Sequence, residues 1–554
     1  MTIELTASVI VPTTILDTGA FTRSTTATYF DVDGVMQTAA IDVPRIGYDP
    51  VTHAHTGLIL EAAATNLLVR SKEFDNGSWT KSESTFTANA VTAPDGTTTA
   101  DKMVESTTAS AYHYSYQGVS KSASAIQYTY SIYVKNAGRE LVVNVTSDGG
   151  SNGVGLHFNP STGVITSAAS TFGTYTGASG SAISIGNGWY RVTLTFTTNT
   201  AVLFSPQHTL HNGSSTTYTG DGASGIYLWG AQLETGSTAT SYIPTTSAQV
   251  TRAADVVTGS GLIYCSTPEP ATGETLWDAA TSYTVGQVVA RTTTHHLYEN
   301  LIAGVNATLP ENATTGVTPR WLDLGATNRW SQFDQKIGTA TTSTTSLTTI
   351  VKPGLGEGLA LLDLIGVTAK ISATDAGSGV VIFERTVDLD STTIESVFDW
   401  MFSDRVQKRN VVITDIPAQY PNMVVAVTIE STTGSAIGVF AVGRAIFIGA
   451  TEYGAGAGII NFGKVTDDGF GNRTWIEGDW ANRVTLPMVG NTSDFNRIHR
   501  QLATVRSTPC IYIGSALDSM EPLVCYGVFR DLYITVPNYP SIAMNLEIDG
   551  MSNS

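Results

Sequence analysis
Charge is the scarcest ingredient of this 554-residue sequence: Asp, Glu, Lys and Arg make up 14% of it, against about 25% in an average globular protein. Long-chain helix formers are correspondingly few, which excludes an all-α protein or a coiled-coil fibre. Positive charge is scarcer still. With 29 Lys and Arg against 47 Asp and Glu the formal net charge is -18, so phosphate-rich partners are repelled and nucleic-acid binding is not expected. Three cysteines, Cys265, Cys510 and Cys525, are too few for a disulfide framework and match no zinc-ligand spacing, so they read as small core residues. No basic-then-apolar leader opens the chain and no apolar run reaches the ~18 residues a membrane helix needs. The expectation is a soluble protein with no membrane insertion.

What replaces the charge is Thr, Ser, Ala and 53 glycines, a mixture that suits pleated surfaces and tight turns. At about 150 residues per domain the length allows three or four cored units. Tyr29 to Met36 reads as a hairpin around Asp33-Gly34; Asp31-x-Asp33-Gly34 resembles the opening of a calcium loop but lacks the later ligands, so the turn is preferred. From Asn66 to Asp255 alternation dominates. Tyr190, Val192, Leu194 and Phe196 take one face of a strand and Trp189, Arg191, Thr193 and Thr195 the other; Tyr128 to Val134, Leu141 to Val145 and Ile226 to Leu228 repeat the pattern. Many short antiparallel strands imply a β-sandwich or jelly roll.

Thr65-Asn66-Leu67-Leu68-Val69-Arg70-Ser71, Phe74-Asp75 with Trp79, Ala93-Pro94-Asp95-Gly96-Thr97, Gly186-Asn187-Gly188-Trp189-Tyr190-Arg191, Tyr227-Leu228-Trp229-Gly230-Ala231-Gln232-Leu233-Glu234 and Ser241-Tyr242-Ile243-Pro244-Thr245-Thr246 follow one another in the order and spacing of a known module. Together with Pro44-Arg45, Tyr48-Asp49 and Gly57 to Glu61, they resemble a jelly roll of tailed-bacteriophage tail proteins over roughly residues 20 to 258. The resemblance implies a virion protein with a concanavalin-A-like or carbohydrate-binding-module-like sandwich. Further on, Trp277, Tyr283, Gly286, Val288, Leu297-Tyr298 and Trp321 have a spacing similar to small chitin- and cellulose-binding modules. The sugar-stacking aromatic pair of that family is replaced here around Leu301, Ile302 and Ala303, so its four aromatics read as scaffold with the sugar platform lost.

Between these modules two prolines, a glycine and small polar residues read as a linker. Runs such as Leu361 to Ile365, Val380 to Phe383, Val424 to Ile429 and Ala445 to Ile448 suggest a second sandwich. It has one candidate helix over 392–406, where Thr392 and Glu395 form a capping-box pattern and Ile394, Val397, Phe398 and Met401 share a face, although Trp400 and Phe402 leave the stretch also readable as strand. The strings from Thr508, Tyr526 and Leu546 again resemble the ends of phage tail proteins. The expected organisation is all-β, serial β-sandwich/jelly-roll domains with a small β module between them: a virion-docking segment over 1–64, a jelly roll over 65–260, a linker over 261–275, the chitin-binding-like module over 276–335, a sandwich over 336–452 and a C-terminal β domain over 453–554.

Local signatures of chemistry are missing. The pairs His53/His55 and His295/His296 have no Cys, Asp or Glu at ligand spacing, so no metal and no cofactor are expected. There is no nucleophile elbow and no zincin helix, and Gly454 to Gly458 lacks the lysine of a phosphate loop and reads as a hinge. Sugar binding instead needs aromatic faces with polar groups at their edges. Trp189, Arg191, Tyr227 and Trp229, on the strand faces opposite the core, are the candidate carbohydrate contacts, although for the two tryptophans a packing role is preferred. For Trp277, Tyr283, Tyr298 and Trp321 the packing role is preferred.

The expected function is that of a non-enzymatic structural protein of a phage tail tip, baseplate or fibre, a virion component assembled in the host cytoplasm. It would attach to host cell-surface polysaccharide or lipopolysaccharide through a lectin-like sandwich. Its other partners would be phage tail and baseplate proteins, and the resemblance implies a homotrimer, which would multiply weak glycan contacts. The alternatives are a tail adaptor or decoration protein with only protein contacts, and a cell-envelope polysaccharide depolymerase, which would need two carboxylates about 5–10 Å apart.

Overall fold
The structure, a computed structural model, describes residues 6–390, 396–402, 407–467 and 473–553. Hydroxyl-rich alternation has its expected consequence: the fold is all-β, built almost wholly from antiparallel sheets. The described chain divides into two compact units, one of Phe21–Val257 and one joining the residues up to Ala20 to those from Thr258 onward.

In the first unit twelve strands make two facing sheets: β1 (Thr80–Ser82), β2 (Ser84–Val91), β3 (Ala100–Glu105), β4 (Tyr114–Tyr116), β5 (Gln127–Ala137), β6 (Glu140–Ser147), β7 (Asn152–Asn159), β8 (Val164–Phe172), β9 (Thr176–Ser184), β10 (Trp189–Thr197), β11 (Leu203–His211) and β12 (Gly225–Thr235). The first sheet runs β9-β10-β5-β12-β3-β2 and the second β8-β7-β6-β11-β4-β1, with Val119–Ser120 added on β11. Inward residues from both sheets, among them Tyr130, Ile132, Leu194, Phe196 and Leu228 facing Leu141, Val143, Leu156 and Leu210, form one fully buried core. The faces expected from alternation are the faces observed.

Among the buried bases of this unit is His208. His208 on β11 is fully buried, with its ring nitrogens at the Ser115 hydroxyl (3.2 Å) and the Tyr130 hydroxyl (2.5 Å). Burial pushes its pKa down to about 3. The folded unit therefore keeps His208 neutral while the unfolded chain takes up a proton below about pH 6.5. The stability this residue supports is complete above that pH and is lost as pH falls from there toward the folded value, at up to about 1.4 kcal/mol per pH unit. Urea unfolding between pH ~6.5 and ~5 should show this slope in the wild type and lose it in His208→Gln; equal slopes would contradict it.

Residues 21–64 lie on the outer face of the first sheet. They are tied there by a buried ionic cluster in which Asp255 takes Arg23 at 3.1 Å and Arg45 at 2.5 Å, while Glu61 takes Arg45 at 2.9 Å and Arg252 at 3.4 Å. Burial opposes ionisation of Glu61, but Arg45 and Arg252 outweigh it and hold its pKa below the usual range.

In the second unit, Thr6–Pro12 is an interior strand of a nine-stranded sheet, paired with Val439–Thr451 on one side and Cys510–Ile513 on the other. Ala7, Val9 and Ile10 are completely buried. The docking segment drawn over 1–64 is thus divided: its first strand completes one unit and its remainder packs on the other. A five-stranded sheet of Gly261–Cys265, Leu347–Lys352, Met423–Glu430, Thr368–Asp375 and Val381–Asp388 supplies the other half of a sandwich core containing Leu359, Leu361, Ile371, Val425 and Val442. The linker drawn over 261–275 therefore opens with a strand, because Leu262, Ile263 and Cys265 are core residues. The nine-stranded sheet also draws strands from both 336–452 and 453–554, so these stretches share one sheet. Of the helix expected over 392–406, Val397–Phe402 is observed, with Val397, Phe398 and Met401 exposed; Thr392, Ile394 and Glu395 lie outside the described residues. A second helix, Phe495–Thr504, buries Ile498 and Leu502 at a spacing of one turn.

Candidate functional site
The four jelly-roll candidates separate sharply. Trp189 and Trp229 are buried, 2% and 1% exposed, in a second small core with Met36, Tyr133, Ile185 and Tyr242. Trp189 donates its indole N–H to the carbonyl of Thr92 and Trp229 donates to the Thr99 hydroxyl. Both lie on the outer face of the first sheet, as alternation requires, but residues 21–64 and the Tyr242 segment cover that face. They are packing residues, the role preferred for them from the sequence, and are withdrawn as carbohydrate contacts. Tyr227 is partly buried against the same cluster. Arg191 alone still lines an open basin.

The motif residues that carry the phage-module resemblance prove to be fasteners. Asn66 is fully buried, donates to the carbonyls of Ala231 and Ile243, and accepts from the N–H groups of Leu68 and Leu233. Gln232 donates to Glu234 and accepts from the N–H of Ile243, while Glu234 accepts from the N–H and hydroxyl of Thr240. Ser71 pairs with the Tyr242 hydroxyl at 2.6 Å. Buried polar groups need complete partner sets, and these residues supply them between distant segments. Gly230 sits at φ +63, where a Cβ would meet the Tyr133 ring at 2.8 Å; its bulge keeps Trp229 outward while Ala231 and Leu233 return to the core.

In the small module Tyr283, Tyr298 and Trp321 are buried together, with Trp277 packed at their edge under Arg291. These aromatics hold the fold.

The open aromatic surface lies on the other sheet. Ala111-Tyr-His-Tyr-Ser-Tyr-Gln117 alternates, but its inward positions are His113, Ser115 and Gln117, so Tyr112, Tyr114 and Tyr116 face outward in a row. Tyr112 and Tyr114 meet edge to face at 5.7 Å between centroids, and Tyr114 and Tyr116 stack at 6.0 Å with 23° between planes. Beside them the cross-strand register runs Tyr116, Gln207, Asn144, Gly155. Neither the Gln207 nor the Asn144 side-chain amide hydrogen-bonds to any described residue. A Cβ at Gly155 would lie 2.6 Å from the Asn144 oxygen, and one at Gly153 would strike the Phe172 ring, so glycine at both positions leaves room for those two side chains. The result is a groove of about 530 Å³ lined by the three tyrosines, Phe172 and Leu203, with Asp148 as the sole carboxylate among its lining residues. Hydrogen bonds from Asn199 and Ser147 hold the Asp148 pKa below the usual range, so it is ionised at neutral pH. This arrangement offers ring faces for stacking and free amides for hydroxyls. It offers no protonated acid poised against a second carboxylate.

Sequence reading missed this row. The available signal was an inverted alternation in which the polar residues are the buried ones.

No protein-family model matches the chain, and no curated protein matches it. Among solved structures it is similar to the enzymatically active domain of tailspike protein 4 of bacteriophage CBA120, at 13% identity and a TM-score of 0.20, over 31% of this chain and 21% of that one. The chain thus spans about a fifth of that structure's length. Among the described residues no group of His, Cys, Asp and Glu is arranged to hold a metal ion, and no helix is long and apolar enough to cross a membrane.

Proposed function
We propose that this chain is a structural protein of a tailed-phage tail whose jelly roll contacts host-surface glycans through the Tyr112, Tyr114 and Tyr116 face, without cleaving them. The observation that carries the reading is the outward tyrosine row beside two uncommitted amides. A soluble fold leaves such a surface uncovered at some cost in exposed apolar area, and its chemistry fits a pyranose chain. The resemblance of residues 20 to 258 to a phage tail module supports the virion setting. Binding rather than hydrolysis is favoured because the groove is lined by a single carboxylate, already ionised. A millimolar site, about -4 kcal/mol, becomes effective when an oligomer, expected to be a trimer, presents several copies.

The test is a glycan array of bacterial envelope polysaccharides probed with the full chain. Retention of at least one neutral or amphipathic polysaccharide, with no release of reducing ends, is the expected result. An array blank at every concentration would leave the adaptor reading in its place, and reducing-end release would favour a depolymerase.

A further inference from the structure
On the opposite sheet, β5, β9 and β10 floor a basin of about 530 Å³ whose rim includes Phe30, Pro50 and the loop at Ser237. Its lining is rich in hydroxyls, among them Thr129, Ser179, Ser181, Thr193 and Thr195, and Arg191 is the one charged residue in it. Six arginines lie in Phe21–Val257. Arg23, Arg45, Arg70, Arg139 and Arg252 each form an ion pair with a carboxylate. Arg191 forms none with any described residue. Its Nη2 donates to the Ser131 hydroxyl (3.0 Å) and the Thr240 carbonyl (2.7 Å), its guanidinium stands 5.4 Å from the Tyr133 ring centroid, and its Nε is buried with no partner. The nearby acids are committed elsewhere, Glu61 to Arg45 and Arg252 and Glu234 to Gln232 and Thr240.

A partly buried guanidinium without a counter-charge is costly, and a carboxylate presented to its fork removes that cost with charge-assisted hydrogen bonds. We propose that this basin is a second saccharide subsite that takes a carboxylate-bearing sugar, a hexuronate or a related acidic residue, with Arg191 on the carboxylate and the Ser and Thr hydroxyls around the ring. Carboxylate is preferred to phosphate because one arginine, with no lysine beside it, balances a monoanion, and a net charge of -18 penalises a dianion. The inference rests on the glycan-binding reading only in taking the ligand to be a sugar; it uses a different sheet face and different residues.

Sodium glucuronate and glucose are the probes, titrated into the full chain at low salt and followed by ligand-observed NMR. Glucuronate should bind at least tenfold tighter than glucose, with the difference shrinking as salt rises. Arg191→Met should lose that preference. Because Arg191 also braces the Thr240 backbone, Ser181→Phe provides a second variant: it fills the basin from an exposed strand position and leaves Arg191 in place, and it should lose glucuronate binding equally. Tyr114→Ala/Tyr116→Ala should retain it, which separates failure of this subsite from failure of the tyrosine face. Equal binding of the two sugars, glucuronate binding that survives Ser181→Phe, or binding lost only in the tyrosine variant would overturn the proposal.

Discussion

Replacing Asp255 by Ala is expected to lower the unfolding free energy of the Phe21–Val257 unit by about 3–5 kcal/mol, the cost of leaving buried charges unpaired. Asp255 has no exposed side-chain surface and neither has Arg23 or Arg45. Its carboxylate accepts from both guanidinium groups and from the N–H of Glu61. Removal leaves Arg23 without a carboxylate and leaves Glu61 alone to balance Arg45 and Arg252. Asp255→Asn keeps the shape and loses the charge, so it should cost a large part of the same amount. Urea unfolding followed by tryptophan fluorescence measures the effect, and loosening of residues 21–64 should also shift emission to the red as Trp189 and Trp229 meet water. A loss below about 1 kcal/mol, the scale of a surface pair, would mean that apolar packing alone holds this segment.

The second large effect concerns recognition. Tyr114→Ala with Tyr116→Ala should weaken retention of any polysaccharide that the array identifies by roughly 30- to 700-fold. Each ring contributes about 1–2 kcal/mol of stacking and buried area, and about 1.4 kcal/mol is tenfold. Both residues are partly exposed on a strand whose inward positions are His113, Ser115 and Gln117, so stability should change by no more than about 1 kcal/mol. Surface immobilisation of the polysaccharide gives the first quantity and thermal unfolding the second. Binding lost together with the fold would remove the argument, whereas full binding by a folded double variant would place the contact elsewhere.

Most of the architecture was legible because alternation is a strong local signal: the core faces of Tyr128 to Val134, Leu141 to Val145 and Tyr190 to Phe196 were assigned from it and are the faces buried in the structure. What alternation cannot report is whether the other face is covered. Trp189 and Trp229 point away from the main core as expected, yet residues 21–64, distant in sequence, close over them. The same limit applies to the chain start, where Ser8-Val9-Ile10-Val11 belongs to a sheet completed by strands more than 400 positions later. Gly261–Cys265 was hidden by the proline-rich stretch that follows it. The tyrosine row was missed for the opposite reason, since an alternating aromatic string invites assignment to the core unless its polar partners, His113 and Ser115, are seen to require burial with hydrogen bonds of their own. Arg191 was selected from its strand face, and its distinguishing property, the lack of a carboxylate, is visible only when all six arginines of the unit are placed in space.

The most direct measurement is 19F NMR of the full chain carrying fluorotyrosine, titrated with the polysaccharide fragment retained on the array. The resonances of Tyr112, Tyr114 and Tyr116, assigned by single Tyr→Phe replacements, are expected to shift together and saturate at one concentration while those of buried Tyr130 and Tyr283 stay fixed. Saturable binding that leaves all three unmoved would contradict a contact through this face.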